Sequence, residues 1–131
     1  MSNEINEVFK NLEKALTALE VMIKKPKDLD RANIDASIQR FEFSIELFWK
    51  LLKKIIFSQG RETIYPKDIL KEAYAGHLIN NEDLWIQMLN DRNRTSHTYN
   101  EKLADEIYEN VRTIYYPLMK KTYDELFKKF S

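Results

Sequence analysis

Residues 35–58, DASIQRFEFSIELFWKLLKKIIFS, decide the fold class of this chain. Their apolar side chains recur every three or four positions, which is the spacing of one face of an α-helix. Gly60 follows, and glycine readily takes the left-handed conformation that ends many helices. The predicted helix has roughly 25 residues and is about 37 Å long. Its main apolar stripe consists of Ile38, Phe41, Ile45, Phe48, Leu52 and Ile56.

The same helical spacing continues on both sides of this stretch. One helix is predicted over residues 5–23, and Pro26 stops it. A short helix is predicted from Pro66, since proline suits the first helical position, to Gly76. The first helix carries the stripe Ile5, Val8, Phe9, Leu12, Ala15, Leu16, Leu19 and Ile23.

Two more helices are predicted in the C-terminal part. Asn80 or Asn81 can cap a helix that runs to about Asn93, and a polar stretch, residues 95–100, then interrupts the pattern. The last helix is predicted over residues 103–130, with a bend at Pro117 because proline removes a backbone hydrogen bond. Its predicted stripe is Ile107, Val111, Ile114 and Leu118.

Four long amphipathic helices joined by short connections predict an all-α fold, an antiparallel four-helix up-and-down bundle with one short extra helix. At 131 residues we expect a single domain, residues 1–131. Leu47 and Leu51 widen the apolar face of the second helix. Either this helix is central and has two neighbours, or part of its face meets a second chain.

Composition excludes several classes of protein. Twenty-one basic residues balance 21 acidic ones, which argues against a broad nucleic-acid-binding surface but not against a local basic site. With no cysteine and two glycines, the chain can form neither a thiolate metal site nor a Gly-rich phosphate loop. No apolar run reaches the ~18 to 20 residues that span a bilayer, and residues 1–12 lack the apolar core of a signal peptide. We therefore expect a cytoplasmic protein with no membrane contact, no cofactor and no bound metal.

The densest set of polar and titratable groups begins at Arg92. This residue continues the apolar face of Trp85, Met88 and Leu89, so its guanidinium needs a partner. His97, one of only two histidines, follows five residues later. The residues alone leave two interpretations open: a charge pair at a helix end with a polar loop, or a functional site.

Residues 91–100, DRNRTSHTYN, resemble the signature of the HEPN superfamily, helical bundles with an Arg, a following polar residue and a His after a spacer of four to six. Tyr99 extends the motif to Arg-x4-His-x-Tyr, the form found in HEPN toxins that pair with a minimal nucleotidyltransferase. Residues 39–50, QRFEFSIELFWK, are similar to helix 2 of the branch called nucleotidyltransferase substrate-binding proteins. Together the two segments and the helix order extend the resemblance over nearly the whole chain.

The resemblance implies that the protein is a homodimer in which two Arg/His pairs face one cleft. It also implies that the protein is a metal-independent ribonuclease. It assigns Arg92 to phosphate binding and transition-state charge, Asn93 to orientation and His97 to proton transfer. Arg94 either adds a phosphate contact or is an exposed loop charge. Tyr99 either orients the loop or receives AMP from a separately encoded minimal nucleotidyltransferase. The alternative function is a non-catalytic subunit that binds a nucleotide or substrate for that enzyme.

Other candidates have simpler interpretations. His77 is predicted to be a surface histidine, and Asp28 and Asp30 to belong to a helix connection rather than a metal site. Glu46 and Lys50 are spaced as an ion pair on a solvated helix face, although a role for Glu42, Glu46, Lys50 and Lys53 near the cleft is consistent with the family. The tyrosines of the last helix are predicted to lie in the core and interface: Tyr108, Tyr115, Tyr116 and Tyr123.

Overall fold

A computed structural model describes residues 3–27 and 31–131, and all regular elements in those two ranges are helical. The all-α prediction is therefore confirmed, and the helices pack as a bundle; the antiparallel up-and-down order stays a prediction. A 3₁₀ turn covers Thr95–His97, and a π-helical segment covers Val111–Tyr115. The six α-helices are α1 Asn3–Ile23, α2 Ala32–Ser58, α3 Pro66–Ala75, α4 Glu82–Arg94, α5 Glu101–Asn110 and α6 Tyr116–Phe130.

Helix ends follow the local chemistry of the sequence. Gly60 has φ 86° just after α2, the left-handed conformation expected of it. Pro66 occupies the first turn of α3, as predicted. Asn81 precedes α4, but it is itself left-handed, with φ 58°, and its side chain makes no capping hydrogen bond. The predicted position of the N-cap residue is therefore confirmed. The expectation that the Asn81 side chain caps the helix with a hydrogen bond is wrong.

Helix α2 lies at the centre of the packing. It contacts α1, α3, α4 and α5, while α1 also packs against α6. Its whole predicted stripe is buried, and so is Leu51, whereas Leu47 is only partly buried. The central-helix interpretation therefore accounts for Leu51. No helix in the described part of the chain is long and apolar enough to cross a membrane.

The last helix departs from the predicted stripe at the π-helical segment. Ile107 and Val111 are buried, but Tyr115 and Met119 then take the fully buried positions, and Ile114 and Leu118 are partly buried. A π-helical turn closes i→i+5 bonds and so contains an extra residue, which moves the buried face forward by one position. Pro117 lies directly after this segment, in the first turn of α6. The bend at Pro117 stays a prediction; the structure shows a π-helical segment that ends two residues before it.

An ion pair ties the start of α2 to α5. Arg31, with φ 67°, donates from Nη2 to Oδ1 of Asp105 at 2.6 Å and to the backbone oxygen of Glu101 at 3.3 Å. The hydrogen bond to the Asp105 carboxylate raises the pKa of Arg31 above its usual value. Asp28 and Asp30, which the sequence assigns to a helix connection, lie outside the described residues.

Candidate functional site

The polar stretch after α4 forms a compact turn closed by its own side chains. The hydroxyl of Thr95 donates to the carbonyl oxygen of Arg92 at 2.7 Å, and that of Thr98 donates to the carbonyl of Thr95 at 2.9 Å. The side-chain oxygen of Asn100 then accepts from the amide of Leu103 and caps α5. Threonine and asparagine favour such local bonds over a continued helix. The sequence therefore ends α4 here and holds the turn in one shape.

The guanidinium of Arg92 is held by two glutamates of α2. Its Nε and Nη2 donate to Oε1 of Glu46 at 3.1 and 2.6 Å, and its Nη1 lies 3.9 Å from Oε2 of Glu42. The expected Glu46–Lys50 pair is wrong, because the Glu46 carboxylate is directed to Arg92 instead. The Arg92 side chain keeps 28% of its surface exposed. The guanidinium is therefore partly open to solvent while both glutamates stay close to it.

A buried carboxylate lies next to this arginine in the sequence and was not anticipated. Oδ2 of Asp91 accepts from the hydroxyl of Tyr115 at 2.6 Å and from the amide of Asn110 at 3.1 Å. Its Oδ1 accepts from Nη2 of Arg94 at 2.9 Å. Asp91 lies seven and three positions after Leu84 and Met88, so helical spacing alone could have placed it on the inner face.

Tyr115 is the central hydroxyl of this network. It donates to Asp91 and accepts from Nε2 of Gln87 at 2.9 Å, while its ring stacks on Phe41. Burial, together with donation to a carboxylate, raises the pKa of Tyr115 well above its usual range. Tyr108, Tyr115 and Tyr123 are buried and Tyr116 is partly buried, so their predicted place in the core is confirmed.

Arg94 forms its contacts within this chain. Besides Asp91, its Nη2 lies 3.8 Å from Oε2 of Glu106, and about half of its side chain is exposed. Through Asp91 and Glu106, this arginine links the end of α4 to α5. The sequence offered it two roles, a phosphate ligand or an exposed loop charge, and neither includes this link.

His97, Tyr99 and Asn93 are on the outer surface of the turn. All three are exposed, Tyr99 by 85%. The rings of His97 and Tyr99 meet edge to face, with centroids 6.2 Å apart. Among the described residues, no hydrogen bond links the side chains of Arg92 and His97. Arg92 instead donates to Glu46, and the ring of His97 contacts that of Tyr99.

The remaining candidates are peripheral. His77 is an exposed loop residue, as predicted, and has φ 60°. The residues that the structure describes include no group of three or more histidine, cysteine, aspartate or glutamate side chains placed to bind a metal ion.

The fold and the turn define a class: helical bundles that present an Arg-x4-His motif where a helix gives way to a polar turn. The chain belongs to the nucleotidyltransferase substrate-binding branch of the HEPN superfamily, because the family model described as "Nucleotidyltransferase substrate binding protein like" matches residues 7–128.

Two individual proteins are similar to the chain. It is 34% identical over 92 residues to the "Probable ribonuclease HepT" of Haemophilus influenzae, and the match covers 66% of this chain and 63% of that protein. The match thus spans less than two thirds of that relative's length. A crystal structure of a Thermus thermophilus protein superposes with a TM-score of 0.80 at 35% identity, covering 88% of this chain and 98% of the other.

Proposed function

We propose that this chain is a metal-independent endoribonuclease that acts as a homodimer and is the toxin of a pair with a minimal nucleotidyltransferase. One observation carries the proposal: a partly exposed guanidinium, Arg92, is fixed at the start of a short turn that exposes an imidazole, His97. The printed name of the Haemophilus relative, a probable ribonuclease, supports the same activity.

The chemistry follows from these two side chains. The 2′-hydroxyl of RNA loses its proton and attacks the adjacent phosphorus; the new O2′–P bond forms as the P–O5′ bond breaks, leaving a 2′,3′-cyclic phosphate and a 5′-hydroxyl. Histidine suits either proton transfer, since its unperturbed pKa is near neutrality. Arg92 neutralises charge that builds on the phosphate oxygens, exchanging part of its contact with Glu46 for them. Asn93, exposed beside Arg92, orients the phosphate.

The reaction needs a base and an acid, and each turn supplies one imidazole. A two-fold dimer with both turns at one cleft supplies the second. We place the interface on the part of α2 next to Glu46, where Phe43 is exposed and Leu47 is half-buried. Sedimentation should show a dimer at micromolar concentration, and Phe43→Glu should yield an inactive monomer. Tyr74→Glu, a change at an exposed aromatic of α3, should stay dimeric; a monomeric wild type contradicts this interface.

RNA cleavage tests the proposed activity directly. Purified protein in EDTA should cleave single-stranded RNA and leave 2′,3′-cyclic ends. Arg92→Ala and His97→Ala should each lower the rate about 10²–10⁴-fold, the usual effect of losing a positioned catalytic group. His77→Ala and Arg112→Ala are matched controls, since His77 is an exposed loop histidine and Arg112 pairs with Glu109, three residues before it. All four variants should keep the helical circular dichroism of wild type.

The second candidate function is a binding subunit that presents a nucleotide or substrate to the nucleotidyltransferase. The family description favours it, as does the occupation of Arg92 by glutamates within the protomer. Wild-type protein that leaves RNA intact, yet binds nucleotide through Arg92, would establish this function and overturn the ribonuclease.

Regulation through Tyr99 is the last part of the proposal. Its phenol is 85% exposed beside His97, where a second enzyme can reach it. The phenolic oxygen attacks the α-phosphorus of ATP held by the nucleotidyltransferase, and pyrophosphate leaves. The resulting phosphodiester places negative charge beside His97, where it competes with the phosphates of RNA.

Co-expression with the nucleotidyltransferase should add AMP at Tyr99, detected by peptide mass spectrometry, and should silence cleavage. Tyr99→Phe should stay active in the presence of the partner, whereas Tyr74→Phe should be silenced like wild type. A Tyr99→Phe variant that is silenced equally well contradicts this mode of regulation.

A further inference from the structure

A recess of about 640 Å³ lies near the C-terminal end of α2, where α1 and the α2–α3 connection meet it. Three lysines of α2 line it, Lys50, Lys53 and Lys54, together with Phe57, whose side chain is 69% exposed. An exposed phenyl ring beside ammonium groups is the combination that binds single-stranded nucleic acid, because bases stack on aromatic rings while cations hold the backbone.

The lysines differ in how far they are neutralised. Lys54 is paired with Glu4 at 3.3 Å, and Glu62 also lines the recess. Lys50 and Lys53 make no ion pair with any residue in the described ranges, since Glu46, the expected partner of Lys50, is taken by Arg92. Two ammonium groups therefore remain open to an anion.

The wall of the recess also contains an unsatisfied hydroxyl. Oγ1 of Thr63 is buried and has no hydrogen-bond partner within the described part of the chain. A buried hydroxyl without a partner is unfavourable, and this oxygen is closed to the recess in the conformation described. The case for a ligand therefore rests on the lysines and Phe57.

The recess adjoins a second one that includes the partner of Arg92. Glu46, which accepts from Arg92, lines a neighbouring recess of about 500 Å³ that also includes Lys50. Lys50 lines both recesses, and positions 46, 50, 53 and 57 recur at the spacing of one face of α2. Positions 46 and 57 are about 16 Å apart along the helix axis at ~1.5 Å per residue. A strand bound at Arg92 can cover that length with a few nucleotides.

We propose that this recess is a binding subsite for a nucleotide of single-stranded RNA that flanks the cleaved phosphate. The base stacks on Phe57, and the phosphates contact Lys50 and Lys53. The assignment rests on the proposed function for its substrate, although binding at the recess can be measured without cleavage.

Binding is measured in the His97→Ala background by fluorescence anisotropy, with a labelled single-stranded 12-mer RNA and with a dinucleotide. Phe57→Ala and Lys53→Ala should each weaken 12-mer binding about tenfold, as expected for a lost stacked base or phosphate contact. Dinucleotide binding at Arg92 should not change. Lys53→Ala should also flatten the plot of log affinity against log salt by about 0.7, the value for one phosphate contact on a single strand. Tyr74→Ala and Lys67→Ala, at exposed positions of α3, are the matched controls.

The outcomes separate the subsite from the proposed function. Unchanged 12-mer affinity and salt slope in both recess variants overturn the subsite, whether or not His97-intact protein cleaves RNA. Weakened binding with no cleavage by the His97-intact protein supports the subsite and overturns the ribonuclease. A Phe57→Ala variant that changes the oligomeric state but not RNA affinity makes the recess a protein interface and overturns the subsite. Absence of any 12-mer binding overturns the subsite, and the cleavage assay alone then decides the proposed ribonuclease.

Discussion

Replacement of Asp91 by asparagine should strongly destabilise the protein. The carboxylate is only 6% exposed and accepts three hydrogen bonds, from Tyr115, Asn110 and Arg94. Asparagine keeps the shape but removes the charge and introduces an NH₂ group. Whichever way the amide is turned, at least one of the three donors then faces another donor.

The size of the effect follows from the surroundings of each bond. A hydrogen bond to a charged group contributes about 1.5–3 kcal/mol, and a buried donor left unsatisfied costs about 1–3 kcal/mol. The favourable rotamer keeps the amide oxygen toward Tyr115 and Asn110, both shielded, and releases the half-exposed Arg94 to water. Two weakened buried bonds and one lost ion pair then amount to about 2–4 kcal/mol of unfolding free energy.

Asp105→Asn is the matched control. Asp105 accepts from Arg31 at the same 2.6 Å that separates Asp91 from Tyr115, but its side chain is 45% exposed. A pair of this exposure contributes about 0–1 kcal/mol. Urea unfolding followed by circular dichroism should give equal m-values for both variants and a much lower midpoint for Asp91→Asn alone. A loss at Asp91 no larger than that at Asp105 would refute the reasoning that this network holds the end of α4.

Two further predictions concern stability. Tyrosine in the unfolded chain ionises near pH 10, and the pKa of Tyr115 is raised in the folded protein. The protonated Tyr115 hydroxyl therefore contributes its full stabilisation below about pH 10. That contribution is lost as the pH rises toward the pKa of the folded state. Tyr115→Phe should be less stable than wild type at pH 8, yet its unfolding free energy should fall less between pH 9 and 11. Urea titrations that show the same fall for both proteins would contradict the role of this phenol. Gly60→Ala should cost about 1 kcal/mol, because Gly60 has φ +86° with open space around it. Gly76→Ala should stay within about 0.5 kcal/mol of wild type. Its new Cβ meets only the flexible end of Arg61 at 3.0 Å and the Glu72 carbonyl oxygen at 3.4 Å. Thermal melts in which Gly76→Ala is less stable than Gly60→Ala would contradict this.

Local signals in the sequence predicted much of the fold. The stripe of α2 is buried as its spacing required, and Gly60 and Pro66 lie at the helix ends that their backbone preferences favour. These features depend on neighbours within one or two helical turns, so a single sequence contains them. The motif from Arg92 to His97 likewise marked the turn after α4.

Long-range contacts could not be read from the sequence. Arg92 and Glu46 are 46 positions apart, and Tyr115 lies 24 positions after Asp91. The spacing of α2 put Glu46 on a side with charged residues, where Lys50 was the nearer partner. Tyr115 of the π-helical segment stacks on Phe41 and donates to Asp91, and the sequence pattern of its own helix contains neither contact.

The two arginines of the motif differ in what holds them, and this separates their roles. Arg94 is bound to Asp91, a buried carboxylate that also holds Tyr115, so breaking that contact leaves a buried charge less compensated. Arg92 is bound to the exposed Glu46, and a pair of that exposure contributes only about 0–1 kcal/mol. Under the proposed function, a phosphate that replaces Glu46 on Arg92 gives up a contact of only that size, and the released glutamate is solvated by water; Glu42, 3.9 Å from Nη1, opposes the incoming anion. We infer that Arg92 is the exchangeable arginine, the one suited to a substrate that must bind and leave, while Arg94 holds the turn in place.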